Sequence, residues 1–223
     1  MCGRFTLTVD PGQIQETFGV ETPQQMQPHY NIAPTQPVAV IPNDGKDRLD
    51  FFIWGLIPSW AKDPSIGNRL INARAETLAE KPAFRAAYRR RRCLVIADGF
   101  YEWRKEPGSK SKTPVYLQME SKEPFGFAGL WEVWYAGDGS EIRSCTIITT
   151  NPNELVANIH NRMPVVVAPE DYSLWLSPEE QNPEVLKPVL RPYPSTEMIA
   201  YPVSRLVNSP GNDVPECIEP VAM

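Results

Sequence analysis

The sequence predicts an α+β fold, one domain over 1–223, with a largely antiparallel, barrel-like sheet and peripheral helices. Three observations carry this. The chain holds 24 prolines in 223 residues, a density that interrupts helices. Its apolar segments are short and separated by turn signals such as Asn43-Asp44-Gly45 and Gly137-Asp138-Gly139. No regular alternation of strand and helix announces a parallel sheet.

The elements follow in order. Asp10 caps and Pro11 opens a helix running to about Gly19, with Ile14 and Phe18 facing inward. QPHYNIAPTQP reads as a proline-flanked loop entering a strand at Val38–Ile41. LDFFIWGLIP (49–58) is its hairpin partner across the Asn43-Asp44-Gly45 turn. SWAKDPSIGNRLINARAET (59–77) reads as loop and then helix, and Pro82 opens a helix through KPAFRAAYRRRR, with Phe84 and Tyr88 on one face. CLVIADGFYEW (93–103) reads as one strand, followed by strands at 113–120, 125–134 and 144–150. Asn153 caps a helix to Ile159, MPVVVA (163–168) is a buried strand, and the end is loop and short helix.

The bulk properties exclude several classes. Hydrophobic content of 42% and charged content of 22% are those of a soluble globular chain. No apolar run approaches the ~20 residues of a membrane span, and the N-terminus has no signal-peptide pattern. The four scattered cysteines and two histidines make no zinc pattern, so neither a metal nor a cofactor is expected. So few cysteines in so long a chain read as cytoplasmic and reduced. The net charge of −5 argues against a dedicated nucleic-acid binder, but the charge is uneven: Arg85–Arg92 is a basic run and 171–184 is acidic. The basic run reads most simply as a solvated helix face, or else as a surface that steers a polyanion.

Reactive groups beside aromatics and turns occur in four stretches: MCGRF, INARAE, ADGFYEW and NIHNRMP. Glu102 stands between Tyr101 and Trp103, where an apolar setting would raise its pKa and let it carry protons. It could equally be a surface glutamate. His160, at a helix–strand junction, is either a proton shuttle or a satisfied structural histidine. Asn72 and Arg74 would face one way on an extended segment, where they could orient a nucleophile and hold a phosphate; helix capping and a surface cation are the alternatives. Trp54 and Trp60 flank a GLIP turn and either pack or stack on unpaired bases.

Cys2 could be a thiol nucleophile. Initiator methionine is generally removed before a small residue, which would leave a 1,2-aminothiol. Its amine has an ordinary pKa of about 7.7–8.0 and its thiol about 8.5. Such a pair condenses with an aldehyde to a Schiff base and closes to a thiazolidine.

Taken in order, MCGRF, YNIAPTQ, WGLIPSW, INARAET, DGFYEW, HNRMP and VSRLVN resemble the motifs of the SOS-response-associated peptidase family, over nearly the whole chain. The resemblance implies a monomeric α+β domain that binds single-stranded DNA carrying abasic sites. It implies that Cys2 captures the sugar aldehyde as a thiazolidine crosslink once Met1 is removed by a peptidase-like step. By the same matching Asn72 positions the Cys2 amine, Glu102 moves protons, and His160 assists ring opening and reversal. Arg4 and Arg74 hold phosphates, with Trp60 and Pro34 also on the DNA side. Where some members carry two adjacent tryptophans, this chain has Trp60 followed by Ala61 in a longer segment. Cys93, Cys145 and Cys217 are left structural. Two other readings remain open: an N-terminal-nucleophile amidohydrolase, and a noncovalent single-strand-binding module.

Overall fold

The computed structural model describes residues 2–106, 108 and 111–221. In chain order its strands and α-helices are β1 (Phe5–Leu7), α1 (Pro11–Phe18), β2 (His29–Ile32), β3 (Pro37–Pro42), β4 (Asp50–Trp54), β5 (Asn72–Arg74), α2 (Arg85–Arg90), β6 (Arg92–Ala97), β7 (Gly99–Lys105) and β8 (Lys112–Met119). Then come β9 (Phe125–Tyr135), β10 (Glu141–Thr150), α3 (Glu154–Ala157), β11 (Met163–Pro164), α4 (Tyr172–Trp175), α5 (Pro183–Leu186) and β12 (Met198–Pro202).

Two sheets form. In the larger, β6, β3 and β4 pair antiparallel in that order, and β4 runs parallel beside β10. β9 pairs antiparallel with both β10 and β6, which closes these five strands into a ring. A barrel has no free edge between its members. Beyond β4, the far half of β10 takes β5 alongside in parallel, Ile147 opposite Asn72 and Thr149 opposite Arg74. The smaller sheet has the order β12-β8-β7-β1-β2. The architecture is α+β and mostly antiparallel, with a barrel-like core.

The two sheets are locked by aromatic packing. Phe5 on β1 meets Trp54 of the barrel edge-on at 5.1 Å and Phe127 at 5.9 Å, and Phe100 meets Phe127 at 5.8 Å. Such edge contacts add about 0.5–1.5 kcal/mol each beyond area burial. The N-terminal strand is therefore an internal strand with a core side chain.

Several local expectations hold. Asp10 accepts from the N–H groups of Gly12 and Gln13 and caps α1, which Gly19 closes at φ 66°. β3 and β4 are the expected hairpin, and β9 and β10 pair antiparallel across the expected Gly137-Asp138-Gly139 turn. Others change. The stretch read as one strand at 93–103 is two, β6 in the barrel and β7 in the smaller sheet. Asp98 breaks it: its buried carboxylate accepts from Thr6 Oγ1 (2.5 Å), from Thr8 N–H and Oγ1 (both 2.6 Å) and from Val9 N–H (3.2 Å). Those bonds belong to the chain entering from β1, so the strand must change sheets there. The loop before Val38 contains β2, and the helix expected from Asn153 to Ile159 is the shorter α3. Asn153 does cap it, accepting from Val156 N–H at 2.9 Å.

The basic run is not wholly a solvated face. α2 begins at Arg85 rather than Pro82 and ends at Arg90. Arg92 is fully buried at the start of β6, donating to the carbonyls of Trp175 (3.0 Å), Ser177 (2.6 Å), Glu179 (3.0 Å) and Arg89. Burial lowers its pKa to about 10. Arg91 pairs at 2.6 Å with Glu132, which is itself buried. A guanidinium with five donors can act as a hub that satisfies several loop carbonyls at once.

Candidate functional site

The seven sequence motifs, scattered along the chain, interlock around the N-terminal strand. Tyr101 N–H donates to Arg4 carbonyl at 3.0 Å, and Phe5 and Thr6 pair with Phe100 and Gly99. Continuing that antiparallel register sets Glu102 opposite Gly3, beside Cys2. On the strand's other side Phe5 pairs with Ile32. Asn31 ties in the C-terminal segment: its Nδ2 lies within bonding distance of the carbonyls of Val207 (3.2 Å), Ser209 (2.9 Å) and Asn212 (2.8 Å). Tyr101 hydroxyl donates to Tyr30 carbonyl at 2.6 Å, and Trp103 indole donates to Asn208 Oδ1 at 2.8 Å.

A close backbone approach brings in the INARAE segment. Gly55, at φ 135°, lies against Gly67 so tightly that a Cβ there would fall 2.7 Å from the Gly67 carbonyl oxygen. This contact, with Trp54 Nε1 donating to Ile71 carbonyl at 2.9 Å, delivers Asn72 to the N-terminus. Asn72 Nδ2 donates to Cys2 carbonyl at 2.8 Å. Its other end, Oδ1, is buried without a hydrogen-bond partner among the described residues. An amide held at one end beside the Cys2 backbone offers an acceptor to a further donor there.

Cys2 and Glu102 are buried, at 0% and 2% exposure. Burial pushes the Cys2 thiol well above the usual thiol range, and the nearby Glu102 charge pushes it further. The thiol is therefore protonated at neutral pH. Met1 lies outside the described residues.

His160 is half-buried in the loop between α3 and β11. Its Nδ1 lies 3.1 Å from Arg162 N–H and 3.3 Å from Arg162 carbonyl, and the ring tautomer sets which of the two bonds forms. The loop is fastened to the same end of β10 that carries β5: Arg162 donates to Thr149 carbonyl at 2.6 Å and forks onto Glu76 at 2.6 and 2.9 Å. That fork holds the Glu76 carboxyl below the usual carboxylate range. His160, Asn72 and Arg74 thus share one end of the barrel. Arg162 and Glu76 were missed in the sequence, although they sit inside the quoted NIHNRMP and INARAE stretches. Only the fold shows that these two motifs are joined.

The expected DNA-side residues differ in availability. Arg74 is exposed, and its side chain makes no hydrogen bond or ion pair among the described residues. Trp60 is 60% exposed. Pro34 is half-buried in the turn between β2 and β3. Arg4 is half-buried, and its guanidinium is engaged by Asn31 Oδ1 (2.8 Å) and the carbonyls of Val207 (2.6 Å) and Asn208 (3.3 Å). It clamps the N-terminal strand to the C-terminal segment. A cavity of about 660 Å³ opens elsewhere, between the end of β8 and Arg191–Pro194, and contains none of these residues. The chemistry-bearing groups identify the site better than cavity size does.

The family model described as SOS response associated peptidase (SRAP) matches residues 1–210. The abasic site processing protein YoqW of Bacillus subtilis (strain 168) is 48% identical over 223 residues, covering 98% of this chain and 99% of that protein. The abasic site processing protein HMCES of Rattus norvegicus is 32% identical over 237 residues, covering 89% of this chain and 66% of that protein. A crystal structure of a protein from Bacteroides thetaiotaomicron superposes with a TM-score of 0.88 at 28% identity, covering 99% of this chain and all of that one.

Proposed function

The chain belongs to the SOS response associated peptidase family, and on that premise we propose that it captures abasic sites in single-stranded DNA through Cys2, as a thiazolidine crosslink. The observation that carries the reading is the Asn72 amide, bonded to Cys2 carbonyl at 2.8 Å with its buried Oδ1 still able to accept. With Met1 gone, the α-amine of Cys2, the residue whose carbonyl Asn72 already holds, becomes a donor for that oxygen. A hydrogen bond there aims the nitrogen lone pair at an incoming aldehyde. The names of the Bacillus and rat relatives support the same substrate.

The steps balance as follows. The ring-closed deoxyribose opens to the aldehyde, with His160 giving a proton to the ring oxygen. The Cys2 amine adds to C1′, one water leaves, and a Schiff base forms. The Cys2 sulfur then adds to the same carbon while its proton passes to nitrogen, closing the five-membered ring. Glu102, buried beside Cys2, relays the protons. The raised thiol pKa favours this order, since the amine reacts first and the sulfur attacks only an activated carbon. Arg74, Trp60 and Pro34 receive the strand around the lesion. Arg4 acts mainly through the clamp it forms. In this reading the protein is a cytoplasmic monomer whose Met1 is removed before it acts, and it uses no cofactor.

A denaturing gel with an abasic oligonucleotide, run beside a native binding assay, separates the alternatives. The crosslink reading expects a heat-stable adduct with wild type and none with Cys2→Ala. An amidohydrolase gives no adduct with either protein. A noncovalent module binds native DNA equally well with both and leaves no band on the denaturing gel.

A further inference from the structure

Outside the Cys2 site, positive charge is most concentrated on α2. A cavity of about 440 Å³ is lined by Ala79, Arg85, Ala86, Arg89, Arg90 and Glu180. Arg85 and Arg89 are four apart and share a helix face. The two alanines leave the space between the guanidinium groups open. Glu180 sits among them: its carboxylate accepts from Arg90 Nε at 3.0 Å and Nη2 at 2.8 Å, and lies 4.0 Å from Arg89 Nη1. Arg85 is exposed and makes no side-chain hydrogen bond or ion pair among the described residues. Three cations face one carboxylate, in a chain whose net charge is −5.

The frame beneath is fixed. Arg89 carbonyl accepts from Gln181 N–H at 2.9 Å, and Arg90 carbonyl accepts from Asn43 Nδ2 at 3.1 Å. The arginine heads nevertheless stay in solvent, with Arg89 53% and Arg90 63% exposed. A guanidinium fork fits a phosphate as it fits a carboxylate. Glu180 occupies the position a phosphate would take.

We propose that this groove binds the phosphodiester backbone of the DNA flanking the lesion, with Glu180 yielding the Arg90 fork as a phosphate enters. The proposal rests on the abasic-site reading for its ligand. Reach is satisfied: Ala79 follows Arg74 by five residues, so the groove wall lies no more than about 18 Å from Arg74 along the chain. At the ~3.4 Å rise of a stacked strand that span is roughly five nucleotides, and an extended single strand covers it with fewer.

The test compares wild type, the combined variant R85Q/R89Q/R90Q, the charge-preserving R85K/R89K/R90K and the single variant E180Q. Each is titrated with a short undamaged single-stranded oligonucleotide that covers only the Cys2 end and with a long one, across a salt series. Crosslinking to a short abasic oligonucleotide is measured in parallel. The glutamine set is expected to weaken long-strand binding about tenfold and to flatten the log–log salt slope by about 2, as expected for three lost phosphate contacts. Short-strand affinity and crosslink yield are expected to stay at wild-type level. E180Q is expected to bind the long strand more tightly than wild type, and the lysine set to keep most of the salt slope. Wild-type affinity and slope in the glutamine set overturn the proposal, as does an E180Q protein that binds the long strand no better. If the glutamine set does not fold, E180Q alone decides. Absence of any abasic adduct with wild type, alongside the expected salt effects, removes the Cys2 reading and leaves the groove standing.

Discussion

Asp98→Asn isolates the device that holds the N-terminal strand in place. The substitution keeps shape but turns one acceptor oxygen into a donor. In the native protein one carboxylate oxygen accepts from Thr6 Oγ1 at 2.5 Å. The other accepts from Thr8 N–H at 2.6 Å, Thr8 Oγ1 at 2.6 Å and Val9 N–H at 3.2 Å. In the variant, the Thr6 bond and a reversed Thr8 hydroxyl bond survive, while two backbone N–H groups face an NH2. Each buried donor left without an acceptor costs about 1–3 kcal/mol. Because Thr8 and Val9 are only half-buried, water recovers part of this, and the loss should be about 2–4 kcal/mol. Urea unfolding monitored by tryptophan fluorescence measures it, with an unchanged slope showing that the two end states are the same. Hydrogen exchange at 5–9 should accelerate at least as much as the global stability falls. A loss under about 1 kcal/mol, or exchange at 5–9 unchanged, would show that Asp98 does not anchor the strand.

Gly55→Ala should destabilise the fold, because φ is 135° and the new Cβ would lie 2.7 Å from a backbone oxygen. The backbone conformation alone costs about 1–3 kcal/mol, and thermal melting reads the sum. Stability should fall above about pH 8.5, the ordinary thiol pKa. Burial raises the thiols of Cys2, Cys93 and Cys145, so in this range the unfolded chain has lost protons the folded one keeps. Each such thiol removes about 1.4 kcal/mol per pH unit, and urea midpoints at neutral and alkaline pH should show it, the effect shrinking in Cys93→Ser. Glu102→Gln and His160→Ala should slow crosslinking or its reversal by about 10²- to 10⁴-fold with DNA affinity near wild type. Lost affinity with an unchanged single-turnover rate would move either residue out of the chemistry.

Local signals and non-local ones differed in how far the sequence revealed them. The Asp10 cap, the β3–β4 hairpin and the β9–β10 pair depend on neighbours in sequence, and capping and turn residues beside short apolar runs identify them. Closure of the barrel depends on β10 finding β4 in parallel across 91 positions of chain (145 minus 54), which no local pattern encodes. The change of sheet at Asp98 was hidden for the same reason, since the partners that require it are Thr6, Thr8 and Val9. Arg92 looked like part of an exposed charged run because composition does not distinguish a solvated arginine from one that satisfies loop carbonyls. At the site, residue types marked Cys2, Asn72, Glu102 and His160, but the Asn72 to Cys2 bond and the Arg162–Glu76 tie exist only in three dimensions.

The central claim is that the Cys2 nitrogen and sulfur both bond to the abasic carbon. Mass spectrometry of the N-terminal peptide, after reaction with an abasic oligonucleotide and nuclease trimming, tests this most directly. Wild-type protein lacking Met1 should give a peptide heavier by the trimmed sugar fragment less one water, with no thiol left to alkylate and no primary amine left, the nitrogen having become the secondary amine of the ring. Cys2→Ala, if likewise processed, should give an adduct only after borohydride trapping. A stable adduct on a peptide that still carries Met1, or one whose Cys2 sulfur can still be alkylated, would contradict the account.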